Sequence, residues 1–234
     1  MRMLRVHHVT KRYGQTVAVD ELSMTVNPGE IVGLLGRNGA GKTSLFQCIA
    51  GISRLDQGSI EVCGHSMQSS SEHAKMKLAY LPDVPEFFDG LTVVQHAMLW
   101  AMIYGTSKAE AVAVVKDCGL DDHGHLEPAV LSRGEQQLFL LRLALARKPS
   151  VLVLDEPLTG LDPIVIQEVK ALVVDAARAG ASVLLSSHNL PLVAELCTRV
   201  CFLVEGRLMT ESDVQTHSVE ELESRFLDLH AIRS

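Results

Sequence analysis

A short apolar strand, Ile31 to Leu35, runs directly into Gly36-Arg37-Asn38-Gly39-Ala40-Gly41-Lys42-Thr43, which satisfies the pattern G-x-x-x-x-G-K-[ST] and opens a helix. This order of strand, glycine turn and helix start constrains the fold more than any other feature of the chain. Gly36, Gly39 and Gly41 let the backbone turn tightly and approach anionic oxygens with no Cβ in the way. The unpaired N–H groups of the first helical turn then face those anions. Lys42 can reach the β- and γ-phosphates of a nucleoside triphosphate as a point charge, and the Thr43 hydroxyl can ligate the Mg²⁺ that accompanies them. Gly36 through Thr43, with the following Ser44, are therefore the candidate phosphate contacts. The helix is expected to start near Lys42 and to end at Gly51, a residue suited to the position after a helix cap.

Two further segments carry chemistry. The apolar run Val151 to Leu154 ends in Asp155-Glu156, and carboxylates at the C-terminal end of a parallel strand stand at the crevice where such sheets bind ligands. Asp155 is the candidate Mg²⁺ holder and Glu156 the candidate that polarises the attacking water. The run Val183 to Leu185 continues into Ser186-Ser187-His188. This places at the same edge an imidazole whose neutral form still has one N–H for the γ-phosphate. Lys42, Glu156 and His188 are the expected catalytic set.

Between these segments lies Leu131-Ser132-Arg133-Gly134-Glu135-Gln136, ahead of an apolar helix expected over Leu138 to Ala146. Ser132 fits its N-cap, and the segment taken alone reads either as a second anion site or as a plain cap.

The 234 residues carry Lys+Arg 21 against Asp+Glu 28, a net charge of −7 with no basic block, which argues against a nucleic-acid partner. Five scattered cysteines without C-x-x-C spacing do not suit a disulfide framework and read as small buried hydrophobes. No run of about 18 apolar residues occurs, and Met1-Arg2-Met3-Leu4-Arg5 lacks an apolar leader, so a membrane role is expected to need a partner.

Leu22, Met24 and Val26, then Ile60 and Val62, alternate with polar residues as half-exposed antiparallel strands do. Ile31 to Leu35, Val151 to Leu154, Val183 to Leu185 and Val200 to Val204 are instead continuous, as in parallel strands covered on both faces. From about Val84 to Lys148 the texture is helical. Thr92 caps one expected helix ending near Tyr104, and Ser107 with Glu110 forms a capping box for another ending near Asp117 and closed by Gly119. Ser69-Ser70-Ser71 reads as a polar loop, residues 218 to 229 read as a last amphipathic helix, and no internal repeat is visible.

In this order the segments resemble the nucleotide-binding subunit of ATP-binding cassette transporters over nearly the whole chain. The resemblance rests on Tyr13, Gly36 to Thr43, Leu131 to Gln136, Val151 to Glu156, Gly160-Leu161-Asp162 and His188. It implies an α/β fold: a RecA-like P-loop NTPase core with an antiparallel β subdomain (about 1–82 and 149–217), an inserted helical subdomain (about 83–148) and a C-terminal helix (about 218–230), all in one domain. It also implies ATP and Mg²⁺ as ligands, and two such domains clasping two ATP molecules head to tail as a homo- or heterodimer. In that arrangement Tyr13 stacks on adenine, Ser132 and Gly134, with Leu131, Arg133 and Glu135 around them, meet the opposite subunit's ATP, and Asp162 lies across the interface.

Three departures stand out. Arg133 and Glu135 replace a glycine and a glutamine of the usual Leu-Ser-Gly-Gly-Gln. Asp83, in Leu81-Pro82-Asp83, stands where Gln or Glu is usual and is expected to reach Mg²⁺ through water. Leu138 stands where an arginine commonly follows. The resemblance points to the ATPase of an exporter, cytoplasmic and peripheral on the inner face of the cell membrane, paired with a separate polytopic membrane subunit. The tail from Glu221 to Leu227 is similar to those of drug- and peptide-export ATPases. Two alternatives stay open on sequence: a soluble cofactor-assembly or stress ATPase, and a nucleotide sensor with little turnover.

Overall fold

In the computed structural model, which describes residues 3–214 and 217–231, the chain begins with β1 (Leu4–Tyr13), β2 (Thr16–Val26), β3 (Ile31–Leu35) and α1 (Lys42–Ile49). β4 (Gln57–Val62), β5 (His65–Ser66), α2 (Ser71–Lys77), β6 (Leu78–Leu81), α3 (Val93–Tyr104), α4 (Lys108–Asp117) and α5 (Arg133–Ala146) follow. The remainder is β7 (Val151–Leu154), α6 (Pro163–Arg178), β8 (Ser182–Ser187), α7 (Leu190–Leu196), β9 (Arg199–Val204), β10 (Arg207–Asp213) and α8 (Val219–Ala231). Met1 and Arg2, the start of the N-terminus read above, and positions 215–216 within the stretch assigned to the core lie outside the described residues.

Two sheets form. The six-stranded sheet has the order β10-β9-β3-β8-β7-β6, parallel except for the antiparallel edge strand β10; the four-stranded sheet, β2-β1-β4-β5, is antiparallel throughout. The unbroken apolar runs are explained by burial on both faces of the larger sheet. Val32 and Leu34 of β3, Val151 and Val153 of β7, and Cys201 and Leu203 of β9 join one core with α1 and the antiparallel strands. Ile31 and Leu35, Leu152 and Leu154, and Val200 and Phe202, the alternate positions of the same strands, join a second core with α5, α6 and α7.

A third core sits apart in the helical lobe. Val93, Ala97 and Ala101 of α3, Ala111, Val114 and Val115 of α4, and Phe139 and Leu143 of α5 pack together. The expected caps form: Thr92, Ser107 and Ser132 each accept from the N3 amide, and Gln95, Glu110 and Glu135 each return a bond to the N-cap N–H.

The structure corrects several local readings. Ser71 is not loop but the first residue of α2, with Ser70 at its N-cap position. The helix expected from Leu138 begins at Arg133, because the Ser132–Glu135 box winds the polar residues 133–137 into its first turns. β10 and α6 were not anticipated. β10 alternates partly buried and exposed positions and returns from β9 through Glu205-Gly206, both with positive φ, the two-residue hairpin geometry that matches strand twist. The cysteines are all free, and burial pushes the Cys48 thiol up to about 11 and Cys118 to about 12, as for packing residues.

Phe139 is fully buried and stacks on Phe87, 6.2 Å between ring centroids. Phe139→Ala should cost about 3–5 kcal/mol of stability, read as a lower denaturation midpoint; a loss under 1 kcal/mol would show that the lobe does not depend on this core.

Candidate functional site

The register of the parallel sheet assembles the site. Leu35 pairs with Ser187, Leu154 with Leu185, and Leu81 with Leu154, so β3, β8, β7 and β6 deliver their following residues to one edge. Those residues are the glycine loop, His188, Asp155-Glu156 and Pro82-Asp83. A cleft of about 430 Å³ opens there, lined by Arg37 through Ser44, Asp83 and Glu156, together with Thr16 to Ala18 of β2 and Glu205-Gly206 of the β9–β10 hairpin.

Two of the loop glycines are fixed by close contacts with the protein's own backbone. A Cβ on Gly41, at φ 106°, would lie 2.1 Å from the Ala18 carbonyl oxygen, and one on Gly36 would lie 2.7 Å from that of Leu203. The loop is therefore clamped against β2 and β9 as well as shaped for phosphate. The sequence reading assigned the glycines to tight turning and ligand approach; this further role depends on strand placement.

A chain of charges crosses the cleft floor. The buried Lys42 ammonium donates to the Gly36 carbonyl at 2.6 Å and lies 3.3 Å from Glu156 Oε1, within ion-pair range although off hydrogen-bond geometry. Glu156 Oε2 is 3.0 Å from His188 Nδ1 and accepts from the Thr159 hydroxyl at 3.1 Å. Glu156 holds φ at 46°, rare for a residue with a side chain. Its amide donates to Ser186 Oγ at 2.9 Å, and the Ser186 hydroxyl donates to Asp155 Oδ1 at 2.5 Å. One buried serine thus orders both acids, a role visible in sequence only as a hydroxyl ending an apolar run.

Asp155 is 1% exposed and lies behind the cleft, and its Oδ2 is buried with no hydrogen-bond partner. Such an oxygen is normally satisfied. Together with the exposed Thr43 hydroxyl in the cleft, it is a donor set that suits a hard divalent cation. The loop amides and Lys42 suit phosphate oxygens, so the residues present fit Mg²⁺ and a nucleoside triphosphate.

The remaining candidates lie elsewhere. Tyr13, 47% exposed, is not among the residues lining the cleft; Lys11 Nζ lies 4.8 Å from its ring centroid and Ser53 Oγ 3.4 Å from its hydroxyl. None of Leu131 to Glu135 lines the cleft. The Leu131 side chain is in the lobe core, and Gly134 is buried, where a Cβ would sit 3.1 Å from Val165 Cγ2 of α6. Ser132 and Glu135 cap α5, and Arg133 pairs with Asp83. Asp162 caps α6, accepting from the Ile164 and Val165 amides. Within one protomer, Arg133 ties this segment to the cleft through Asp83, and Ser132 and Gly134 do not line it.

The ABC transporter family model matches residues 19–159. The chain belongs to the ABC transporter family. It is 34% identical to the uncharacterized ABC transporter ATP-binding protein YhaQ of Bacillus subtilis, over 97% of this chain and 80% of the relative. It is also 34% identical to the Nod factor export ATP-binding protein I of Burkholderia thailandensis, over 95% and 74%. Among solved structures, an ATP-binding subunit of an ABC transporter superposes with a TM-score of 0.87 at 27% identity, covering 96% of this chain and 99% of that one. The ABC chain described here is an ATP-binding, ATP-hydrolysing cassette, with the P-loop fold that its motifs anticipated. Among the described residues, no helix is long and apolar enough to cross a membrane.

The hydrogen bonds of Ser132 hold the Glu135 carboxyl below its ordinary 4.5. A depressed carboxylate contributes stability in full above that ordinary value and loses it as pH falls through the lowered folded value. Ser132→Ala should cost about 1 kcal/mol at pH 7. Denaturant unfolding at pH 7 and at progressively acid pH should show that difference shrinking below 4.5; a pH-independent difference would contradict the capping geometry.

Proposed function

We propose that two copies of this cassette, or this one and a related one, clasp two ATP molecules between them and thereby drive solute export through a separate polytopic membrane subunit. The observation that carries the reading is the half-site: the cleft holds the phosphate loop, Lys42, Glu156 and Asp83, while Ser132 and Gly134 do not line it and, of the signature residues, Arg133 touches it through Asp83. A second protomer would supply the missing cover over the phosphates. A cassette at 19% identity, solved as a dimer in a post-hydrolysis state with ADP and phosphate, shares the fold at a TM-score of 0.81. The relatives named for Nod factor export, with the amphipathic tail helix, support the export direction.

The loop amides and Lys42 bind the β- and γ-phosphates, and Tyr13 supplies the adenine face. Thr43 and Asp155 would hold Mg²⁺, with Asp83 reaching it through water from the cleft mouth; the ion would supply charge neutralisation on the phosphate oxygens. Glu156 takes the proton of the attacking water, and its carboxylate is already aimed by His188, Thr159 and Lys42. His188, half-exposed beside Glu156, turns from that carboxylate toward the γ-phosphate. Loss of the γ-phosphate removes the Lys42 and His188 contacts, and the protomers part.

The helical lobe carries this motion to the membrane subunit at the inner membrane face. A groove of about 420 Å³ between α1, β6 and α3, lined by Gln47, Ile52, Tyr80, Phe87, Phe88 and Trp100, is the docking surface. Its two phenylalanines divide the work: Phe87 packs against the lobe core, and Phe88 is 61% exposed.

Lys42→Ala should weaken ATP binding by roughly 10- to 150-fold, the value of one charge-assisted contact, measured calorimetrically on protein whose thermal unfolding is checked in parallel. Glu156→Gln should cut turnover by about 10²–10⁴-fold while ATP-loaded dimers accumulate on size-exclusion chromatography. Equal turnover in parent and variant would assign the chain to nucleotide sensing. Phe88→Ala should leave ATPase activity intact and abolish its stimulation by the membrane subunit; unchanged stimulation would refute the groove.

A further inference from the structure

Arg133 and Asp83 occupy two of the positions at which the chain departs from the usual family pattern, and the fold pairs them across 50 residues of sequence. Arg133 Nη2 donates to Asp83 Oδ1 at 2.8 Å and to the Asp83 carbonyl at 3.3 Å. A single guanidinium nitrogen therefore holds both the side chain and the main chain of that residue. Arg133 is the first residue of α5, the helix that carries the lobe core, whereas Asp83 follows β6 and lines the phosphate cleft. The same guanidinium lies over the turn that follows the acids: a Cβ on Gly160 would sit 3.7 Å from Arg133 Cζ and Nε. Lobe, cleft mouth and the turn after Glu156 meet at one side chain.

We infer that Arg133 is a positioning residue that holds the Asp83 carboxylate at the cleft mouth, so that a divalent cation there competes with the guanidinium for this carboxylate. The inference rests on the Mg·ATP reading of the cleft. A carboxylate with a cation at 2.8 Å is already neutralised, and a second cation gains full attraction only by displacing the first. Both side chains are close to half exposed, 43% for Arg133 and 46% for Asp83. The competition is therefore that of a screened pair, a factor of roughly 1.5 to 5 in affinity. Displacement also has a mechanical result: it releases the bond between α5 and the β6 loop, and by linkage whatever reorients the lobe alters metal affinity by the same factor. Two substitutions that look degenerate one at a time thus form one matched joint between lobe and site.

The experiment uses the full chain carrying Glu156→Gln, loaded with ATP, and titrates Mn²⁺ as the probe by electron paramagnetic resonance. Arg133→Gly and Arg133→Gln should each tighten Mn²⁺ binding by roughly 1.5- to 5-fold, and Arg133→Lys should match the parent. Asp83→Asn should weaken it, and on that background Arg133→Gln should have no further effect. A structural role alone would shift the unfolding midpoint without moving the metal titration. Mn²⁺ binding in the parent that ignores Arg133→Gln, or responds equally with Asp83→Asn present, overturns the inference alone. Absence of Mn²⁺–ATP binding in the parent overturns the reading of the cleft as well.

Discussion

Burial of one sheet between two cores is the constraint on which the rest depends. β3, β8 and β7 present apolar residues to α1 on one face and to α5, α6 and α7 on the other, as parallel strands with both faces covered do. A slip of one residue in any of them would send every side chain to the wrong core. Register is therefore rigid, and rigid register fixes where the strands end. The glycine loop, His188 and the two acids reach the same edge because Leu35, Ser187 and Leu154 do.

At that edge the protein accepts unfavourable local features that the cores hold in place. Lys42 and Glu156 have side chains only 6% and 11% exposed, Glu156 has a positive φ, and Asp155 keeps a carboxylate oxygen without a partner. Burying such charges costs more than their pairing alone returns unless hydrogen bonds complete the shell. Gly36, Thr159, His188 and Ser186 supply those bonds. The helical lobe, with a core of its own, adds the Arg133–Asp83 contact from outside.

The chain itself determined the phosphate loop, the acids after Val151 to Leu154, the imidazole after Val183 to Leu185 and the three helix caps, because each is a local arrangement: residue type, spacing and the neighbouring apolar run suffice to specify it. What the tertiary structure alone decided is the relation between distant segments. Ser186 bridges both acids, Ala18 and Leu203 press on the loop glycines, and Arg133 meets Asp83. No periodicity announces these contacts, since they arise from strand order and from where the lobe leans. The short α2 and the edge strand β10 were illegible for a related reason: polar residues carry weak periodic signals, and a cap or a hairpin partner decides their conformation.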